Sequence, residues 1–251
     1  MTTTLNRTTV WIALVIEKYL LPLLYLRFAV THYVAFRGIL SGSLGHETTV
    51  FIDATNQLTN SLLFLFASLL LLLGRRPEAP PQKLKLIIIP LVTAFYNLLY
   101  NTVHWFPAAW QINLSPPGLQ MPLFAAGLIC IVLGPIISLW GILHLGRSFG
   151  IYVAVRKVVL TGPYKWVRHP MYLGWVFLYG GLALANFSAA YFLLVAVDIA
   201  LILYRARLEE IHLSAHSAEY REYMKRTRFI FPRLRWPSAF FAPKVMPGKR
   251  Q

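Results

Sequence analysis

Residues 161–174, TGPYKWVRHPMYLG, carry the side chains best suited to bind a polar ligand, and they lie between two long apolar segments. Five of these side chains are costly on a surface that faces lipid: Tyr164, Lys165, Arg168, His169 and Tyr172. We therefore expect them at a membrane boundary or around a protein-lined cavity. Pro170 suits the first position of a helix, because its missing amide hydrogen would have no intrahelical acceptor there. The pattern predicts a helix that begins at Pro170, with His169 just before it and Gly174 where a ligand could approach the backbone closely.

A second polar group follows on the last apolar segment. Asp198, Arg205, Glu209 and His212 are spaced 7, 4 and 3 residues apart, so they share one face of a helix. The spacing of Arg205 and Glu209 is that of a structural ion pair at a helix end. The alternative is that both side chains face a ligand at the same membrane boundary as His169.

Two linked motifs carry a resemblance to known enzymes. Gly-x-Tyr at residues 162–164 and Arg-His-Pro-x-Tyr-x-Gly at residues 168–174 resemble the hallmark of the isoprenylcysteine carboxyl methyltransferase family and its relatives, the membrane phospholipid methyltransferases. The resemblance covers about residues 145–233. It implies a helical membrane domain that holds S-adenosylmethionine at its cytoplasmic side.

The resemblance also implies roles for single residues. Arg205 would face the carboxylate of the substrate, and Glu209 would hold the cofactor. The family continues with Phe-Gly before Glu-Tyr, whereas LSAHSAEY here is one residue shorter. We place the gap inside that stretch, which keeps Arg205 and Glu209 in register.

The cofactor carries a sulfonium, an ammonium and a carboxylate, so an acidic side chain and aromatic faces favour its binding. Tyr164 and Tyr172 would supply the faces, with Trp166 as a further candidate. His169 can hydrogen-bond the amino-acid part or the ribose, and the backbone of residues 156–159 would line the adenosine. The cofactor-binding residues implied are Arg156, Lys157, Val158, Val159, Tyr164, His169, Pro170, Met171, Tyr172 and Glu209, with Arg168, Gly174 and Glu210 supporting them.

Composition predicts an integral membrane protein. Of 251 residues, 57% are hydrophobic and only 13% are charged. The single cysteine, Cys130, excludes a disulfide within the chain and a CxxC metal site. His212 and His216 are four residues apart but lack further ligands, so we expect no metal.

The net charge of +15 would suit a nucleic-acid-binding protein, but its distribution does not. Lys and Arg concentrate in residues 75–85, 147–168 and 205–251, whereas residues 38–49 and 107–120 carry none. This alternation is the positive-inside pattern of a multi-pass membrane protein. We expect cytoplasmic termini, and membrane lipids rather than nucleic acid as partners.

The apolar segments predict an all-α membrane protein with about six transmembrane helices. They are residues 10–36, 50–73, 86–106, 121–144, 170–185 and 188–204, the last two forming a tight hairpin that is followed by a cytoplasmic C-terminal helix. We expect a single methyltransferase domain over residues 1–251. It comprises a four-span part (1–144), a cofactor-binding core (145–233) and a basic aromatic tail (234–251).

Two predicted spans carry polar stripes: Asp53, Asn56 and Asn60 on the second, and Asn97, Asn101 and His104 on the third. Such stripes are typical of hydrogen bonds between membrane helices. They could instead form the wall of a substrate cavity.

The function that these residues favour is methyl transfer from S-adenosylmethionine to a lipophilic acceptor entering from the bilayer. A carboxylate of a prenylated cysteine or a similar lipid acid needs no general base, and Arg205 would be its counter-charge. The alternative is N- or S-methylation of a phospholipid headgroup or small thiol, with Glu210, His169 and His212 as candidate proton acceptors. More distant alternatives are an NADPH-dependent sterol-type reductase, which shares an Arg-His-Pro-like motif, and a nonenzymatic lipid-binding protein.

Overall fold

The computed structural model describes residues 4–41, 47–96, 99, 100, 103 and 106–232, with the backbone alone for residues 47–53 and 56. Over these residues the chain is helical, and strand-like pairing is limited to isolated bridges. The predicted all-α class is confirmed. The side chains of Asp53 and Asn56, the residues Asn97, Asn101 and His104, and the predicted tail at residues 234–251 lie outside the described part.

Nine α-helices make up this described part of the chain. They are α1 (Arg7–Val15), α2 (Leu21–Leu40), α3 (Glu47–Leu73), α4 (Lys85–Phe95), α5 (Ala108–Gln111), α6 (Gln120–Leu145), α7 (Pro170–Asn186), α8 (Ala189–His216) and α9 (Ala218–Arg226). A π-helical turn, Ile16–Leu20, joins α1 to α2. Helix α7 begins at Pro170, as its sequence predicts.

Three helices are long and apolar enough to cross a membrane: Arg7–Leu40, Gln120–Ser148 and Ala189–His216. They correspond to the first, fourth and sixth predicted spans, so the membrane character of the chain is confirmed. Two shorter apolar stretches are Gln57–Leu73, which is part of α3, and Lys85–Phe95, which is α4. Helix α4 covers only the first half of the third predicted span and contains Pro90, which cannot donate a helical hydrogen bond.

The basic loops meet at one end of the helices. The backbone N–H of Arg75 donates to the carbonyl oxygen of Arg147 at 2.8 Å, and that of Glu78 donates to Val155 at 2.8 Å. The N-terminal segment joins them, because the N–H of Leu5 donates to Gln82 at 2.9 Å. Segments far apart in sequence therefore share one end of the molecule, where residues 145–169 connect α6 to α7.

Helices α6 and α7 pack with their backbones close together, through small residues spaced seven apart on each helix. A methyl group built on Gly181 would lie 2.7 Å from the carbonyl oxygen of Gly127, and one on Gly134 would lie 2.6 Å from the backbone nitrogen of Leu178. Glycine at such contacts allows the helices to approach. Two residues join α7 to α8, but α7 packs far more extensively on α6 than on α8. The short connection is compatible with the predicted tight hairpin, but the extensive packing of α7 is on α6.

Gly174 belongs to this helix contact and not to a ligand site. A methyl group at Gly174 would collide with the Ser138 side chain and the backbone of Gly134 on α6. The expectation that its missing side chain lets a ligand approach was therefore wrong. The helical position of Gly174 turns it towards α6, whereas His169 and Tyr172 face the opposite side.

Adjacent glycines on α7 allow a direct test of this packing. We expect Gly181→Ala to destabilise the protein by about 1 to 3 kcal/mol, because an added methyl group overfills the contact with α6. Gly180→Ala is the matched control, since a methyl group there meets no atom within 4 Å. Thermal unfolding in detergent measures both variants. Equal unfolding temperatures would contradict the close α6–α7 contact.

Candidate active site

A cavity of about 130 Å³ opens where residues 145–169, the start of α7, the end of α8 and α9 meet. Its walls combine aromatic rings with a small number of charged groups. They include Tyr152, Arg156, Lys157, Val158, Val159, Tyr164, Arg168, His169, Met171, Tyr172, Arg205, Glu209, Tyr220 and Tyr223. The structure thus brings most of the residues singled out in the sequence around one cavity. Pro170 and Glu210 are buried beside it and do not line it.

Glu209 provides the carboxylate of the cavity. Its Oε1 accepts hydrogen bonds from the Tyr172 hydroxyl and from Arg205 Nε, the latter at 3.1 Å. The Nδ1 atom of His169 lies 3.8 Å from its Oε2. The Glu209 side chain is 22% exposed, whereas those of Arg205 and His169 are only 2% and 5% exposed. Buried groups thus hold a carboxylate that remains accessible from the cavity.

Arg205 ties three parts of the fold together. Its Nη1 donates to Thr93 Oγ1 at 2.9 Å and to the carbonyl oxygen of Pro90 at 3.3 Å, both on α4. Its Nη2 donates to the carbonyl oxygen of Ile151 at 2.9 Å. A guanidinium has five N–H bonds, and with the Glu209 contact the described residues take four of them. One N–H on Nη2 remains for a ligand, so Arg205 is both a structural ion-pair partner and a wall of the cavity.

The predicted supporting residue Arg168, just before α7, connects to Glu210 on α8 and to the backbone at the end of α9. Arg168 Nε donates to Glu210 Oε1, and Arg168 Nη1 donates to the carbonyl oxygen of Met224 at 3.2 Å. The same carboxylate oxygen lies 3.5 Å from Nε2 of His169. Carboxylates therefore face both nitrogens of the imidazole, but the buried Nε2 makes no hydrogen bond within the described residues.

The tyrosines of α9 were missed by the sequence analysis. The Tyr223 hydroxyl donates to the carbonyl oxygen of Tyr164 at 2.7 Å, and Tyr220 packs with both. Burial raises the pKa of Tyr223 to about 12 and that of Tyr164 well above its usual range. Both hydroxyls therefore stay protonated at physiological pH and can donate. The available signal was the spacing of Tyr220 and Tyr223, three residues apart on one helical face.

Gly162 and Trp166 belong to the turn that precedes α7. The backbone of Gly162 has a φ of +58°, which residues other than glycine rarely adopt. Gly162 starts the turn that positions Tyr164. Trp166 is 57% exposed and packs on Trp140, with ring centroids 5.5 Å apart. Trp166 does not line the cavity, so the suggestion that it faces the cofactor gains no support here.

Residues 151–156 are held in place by a carboxylate from the first helix. Glu17 Oε1 accepts the backbone N–H groups of Ile151 at 2.7 Å and Tyr152 at 2.8 Å. Its Oε2 lies 2.8 Å from Arg156 Nη2, and both side chains are buried. Glu17 lies inside the first predicted apolar segment, residues 10–36. An acidic residue in such a segment is rare enough to be a signal by itself.

Removing this carboxylate should loosen the cavity wall. We expect Glu17→Gln to destabilise the protein by about 3 kcal/mol, because it leaves the buried Arg156 charge without a counter-ion. The exposed Glu78 offers the matched control, Glu78→Gln, which should unfold like the wild type. Thermal unfolding of the two purified variants provides the comparison. A Glu17→Gln protein as stable as Glu78→Gln would argue against the anchor.

A second, apolar cavity of about 70 Å³ lies directly beside the first. Its wall includes Tyr25, Phe64 and Trp175, and also Asn60 from the polar stripe on α3. Phe149, Met171 and Arg205 line both cavities. A compartment with several charged side chains, among them Glu209, therefore adjoins a compartment between the helices in which Arg205 is the one charged side chain of the described wall.

Other candidate residues stand apart from the cavity. His212 is buried, but it does not line the cavity. Of the three proposed proton acceptors, His169 alone is part of the described wall. In the described ranges, no three His, Cys, Asp or Glu side chains are grouped to hold a metal ion.

The fold and the site together define a helical membrane protein in which a charged, aromatic-rich cavity adjoins an apolar one. Residues 123–219 match the model of the phospholipid methyltransferase family, which indicates a methyltransferase. The relationship inferred from residues 162–174 is thereby confirmed for this part of the chain, which includes His169, Arg205 and Glu209. A comparison of the chain with curated proteins gave no match.

Proposed function

We propose that this protein transfers a methyl group from S-adenosylmethionine to a lipophilic acceptor that reaches the site from the bilayer. The observation that carries the proposal is the junction of the two cavities. The polar cavity presents Glu209 among aromatic rings, and the apolar cavity next to it shares Arg205 and Met171. A water-soluble donor and an oily acceptor could thus meet at one point.

The residues of the polar cavity fit the cofactor. Glu209 is a partly exposed carboxylate of the right charge for the ammonium group, and the faces of Tyr164 and Tyr172 suit a sulfonium. His169 is oriented to hydrogen-bond the polar part of the molecule, and residues 156–159 would contact the adenosine. When bound, S-adenosylmethionine supplies an electrophilic methyl group. The contribution of the protein is to orient the two reactants and to exclude water around them.

The acceptor that we favour is the carboxylate of a prenylated cysteine or a similar lipid acid. The remaining N–H on Nη2 of Arg205 can donate to one carboxylate oxygen, while the prenyl chain occupies the apolar cavity. A carboxylate is already deprotonated at neutral pH. Its methylation therefore places no demand on a general base.

An amine of a phospholipid headgroup is the second candidate, favoured by the family that residues 123–219 match. Methylation of an amine releases a proton, which a neighbouring group must accept. His169 lines the cavity and could serve. Its ring nitrogens already face Glu209 and Glu210, at 3.8 and 3.5 Å.

We further propose the membrane arrangement predicted by the charge pattern, with about six crossings and cytoplasmic termini. The N-terminal segment, the loop before α4 and residues 145–169 meet at one end of the helices, which supports a shared cytoplasmic face. The cavity lies at this end, among residues 145–169 and the end of α8. A soluble cofactor would therefore reach it from the cytoplasm.

Transfer of a labelled methyl group tests the proposal. Purified protein in lipid nanodiscs is incubated with methyl-labelled S-adenosylmethionine and either a farnesylated cysteine analogue, phosphatidylethanolamine or an alkyl thiol. We expect label in the farnesylated compound, as a methyl ester that base releases. Label confined to phosphatidylethanolamine or the thiol would refute the carboxylate acceptor. Absence of both cofactor binding and label would refute methyl transfer.

A further inference from the structure

A third and larger cavity, of about 740 Å³, lies on the other side of the Arg156 side chain. It is bounded by α1, the π-helical turn, the end of α3 and the loop that follows α3. Five cationic side chains line it: Lys18, Arg75, Arg76, Arg147 and Arg156. Among its described lining residues the only carboxylate is Glu17, which Arg156 and two backbone N–H groups already engage.

Part of this charge has a structural use. Lys18 Nζ donates to the carbonyl oxygens of Leu72 and, at 2.9 Å, Gly74, and Arg147 Nε donates to that of Leu73 at 3.0 Å. These bonds satisfy carbonyl groups that every helix leaves free at its C-terminus. They neutralise no charge. The cavity therefore keeps an excess of positive charge, although Lys18 and Arg147 bind carbonyl groups at the end of α3.

The remaining cations are available to a ligand. Arg75 and Arg76 are exposed in the loop after α3. Arg156 is 9% exposed, and its Nε has no hydrogen-bond acceptor among the described residues. A buried guanidinium nitrogen without an acceptor is costly, and an anion in the cavity would supply one. Arginine is also the side chain best suited to phosphate, because its planar fork can bind two oxygens.

The rest of the wall is apolar and belongs to a candidate membrane helix. Trp11, Leu14 and Tyr19 line the cavity from the segment Arg7–Leu40. Trp11 and Tyr19 are 65% and 59% exposed, and such residues are typical of the interface between lipid headgroups and hydrocarbon. A cavity with cations at one side and an exposed apolar helix at the other has the polarity of an anionic lipid.

We propose that this cavity binds the phosphate headgroup of an anionic membrane lipid, whose acyl chains lie along α1. This site is separate from the methyl-transfer site and does not depend on its assignment. The phosphate would be held by Arg75, Arg76 and the free edge of Arg156. Because Arg156 also lines the cofactor cavity, lipid bound here lies directly behind the wall formed by residues 156–159.

Lipid retention by the full-length protein tests this site. Wild-type protein is purified in a zwitterionic detergent and titrated with phosphatidylglycerol, and bound lipid is counted by native mass spectrometry. The variant is Arg75→Gln/Arg76→Gln, and the matched control is Lys83→Gln/Lys85→Gln, which removes the same charge outside the cavity, at the end of the same loop and the start of α4. We expect the Arg75/Arg76 double variant to bind phosphatidylglycerol about tenfold more weakly and the control within about twofold of the wild type.

The other outcomes each count against the proposal. Equal losses in the two double variants would show a general attraction of the loop for anionic surfaces. Phosphatidylcholine retained as well as phosphatidylglycerol would show that the cavity does not select an anion. Inorganic phosphate that displaces phosphatidylglycerol at equal concentration would overturn the lipid assignment in favour of a free phosphate.

Discussion

Glu209→Gln should weaken the binding of S-adenosylmethionine by about tenfold to a hundredfold, since a charge-assisted hydrogen bond contributes about 1.5 to 3 kcal/mol. Glutamine keeps the size of the side chain and one acceptor oxygen, but it loses the negative charge that, in the proposed complex, would face the ammonium of the cofactor. Isothermal titration calorimetry of the purified protein in detergent measures the effect. His169→Ala should weaken binding too, because His169 lies 3.8 Å from Glu209 at the same wall.

The control is a carboxylate that is paired but remote from the cavity. Glu222 on α9 lies 2.7 Å from Lys225, and both side chains are largely exposed. Glu222→Gln removes the same charge and should bind the cofactor like the wild type. Wild-type affinity in Glu209→Gln and His169→Ala alike would overturn the assignment of this cavity to the cofactor.

Arg205→Lys should reduce turnover about a hundredfold or more while weakening cofactor binding less than about fivefold, if the acceptor is a carboxylate. Lysine keeps the positive charge, but it lacks the planar fork that reaches Thr93, Ile151 and a substrate oxygen together. Arg205→Ala is a poorer test, because removal of a buried cation from its partners costs about 3 to 5 kcal/mol and threatens folding. Turnover and cofactor affinity should be measured on the same preparations.

The exposed Arg207 on the same helix provides the matched control, Arg207→Lys, since it packs over Phe229 and does not line the cavity. It should leave turnover unchanged. A parallel loss of cofactor affinity and turnover in Arg205→Lys would mean that Arg205 positions Glu209 instead of the acceptor. Retained methylation of an amine acceptor in Arg205→Lys would favour the phospholipid headgroup.

Much of the site could be predicted because its chemistry is local in sequence. Pro170 favours a helix start regardless of what that helix packs against. The positions of His169 just before the helix and of Tyr172 in its first turn therefore followed from the local sequence. The four-residue spacing of Arg205 and Glu209 placed them on one face of α8. The fold class was equally accessible, because long apolar segments must satisfy their backbone hydrogen bonds within themselves and therefore form helices.

Only the tertiary structure decided which distant segments meet. Glu17 reaches the backbone of Ile151, 134 residues later, and no periodicity in either segment predicts that contact. The packing of α7 against α6 turned Gly174 away from the cavity. The sequence by itself thus determined the helices, their membrane character and the chemistry of His169 and Glu209, since these depend on neighbours along the chain. The anchoring of residues 151–156 by Glu17 and the contribution of Tyr220 and Tyr223 to the cavity wall depend on helix packing, which the pattern within any single segment does not specify.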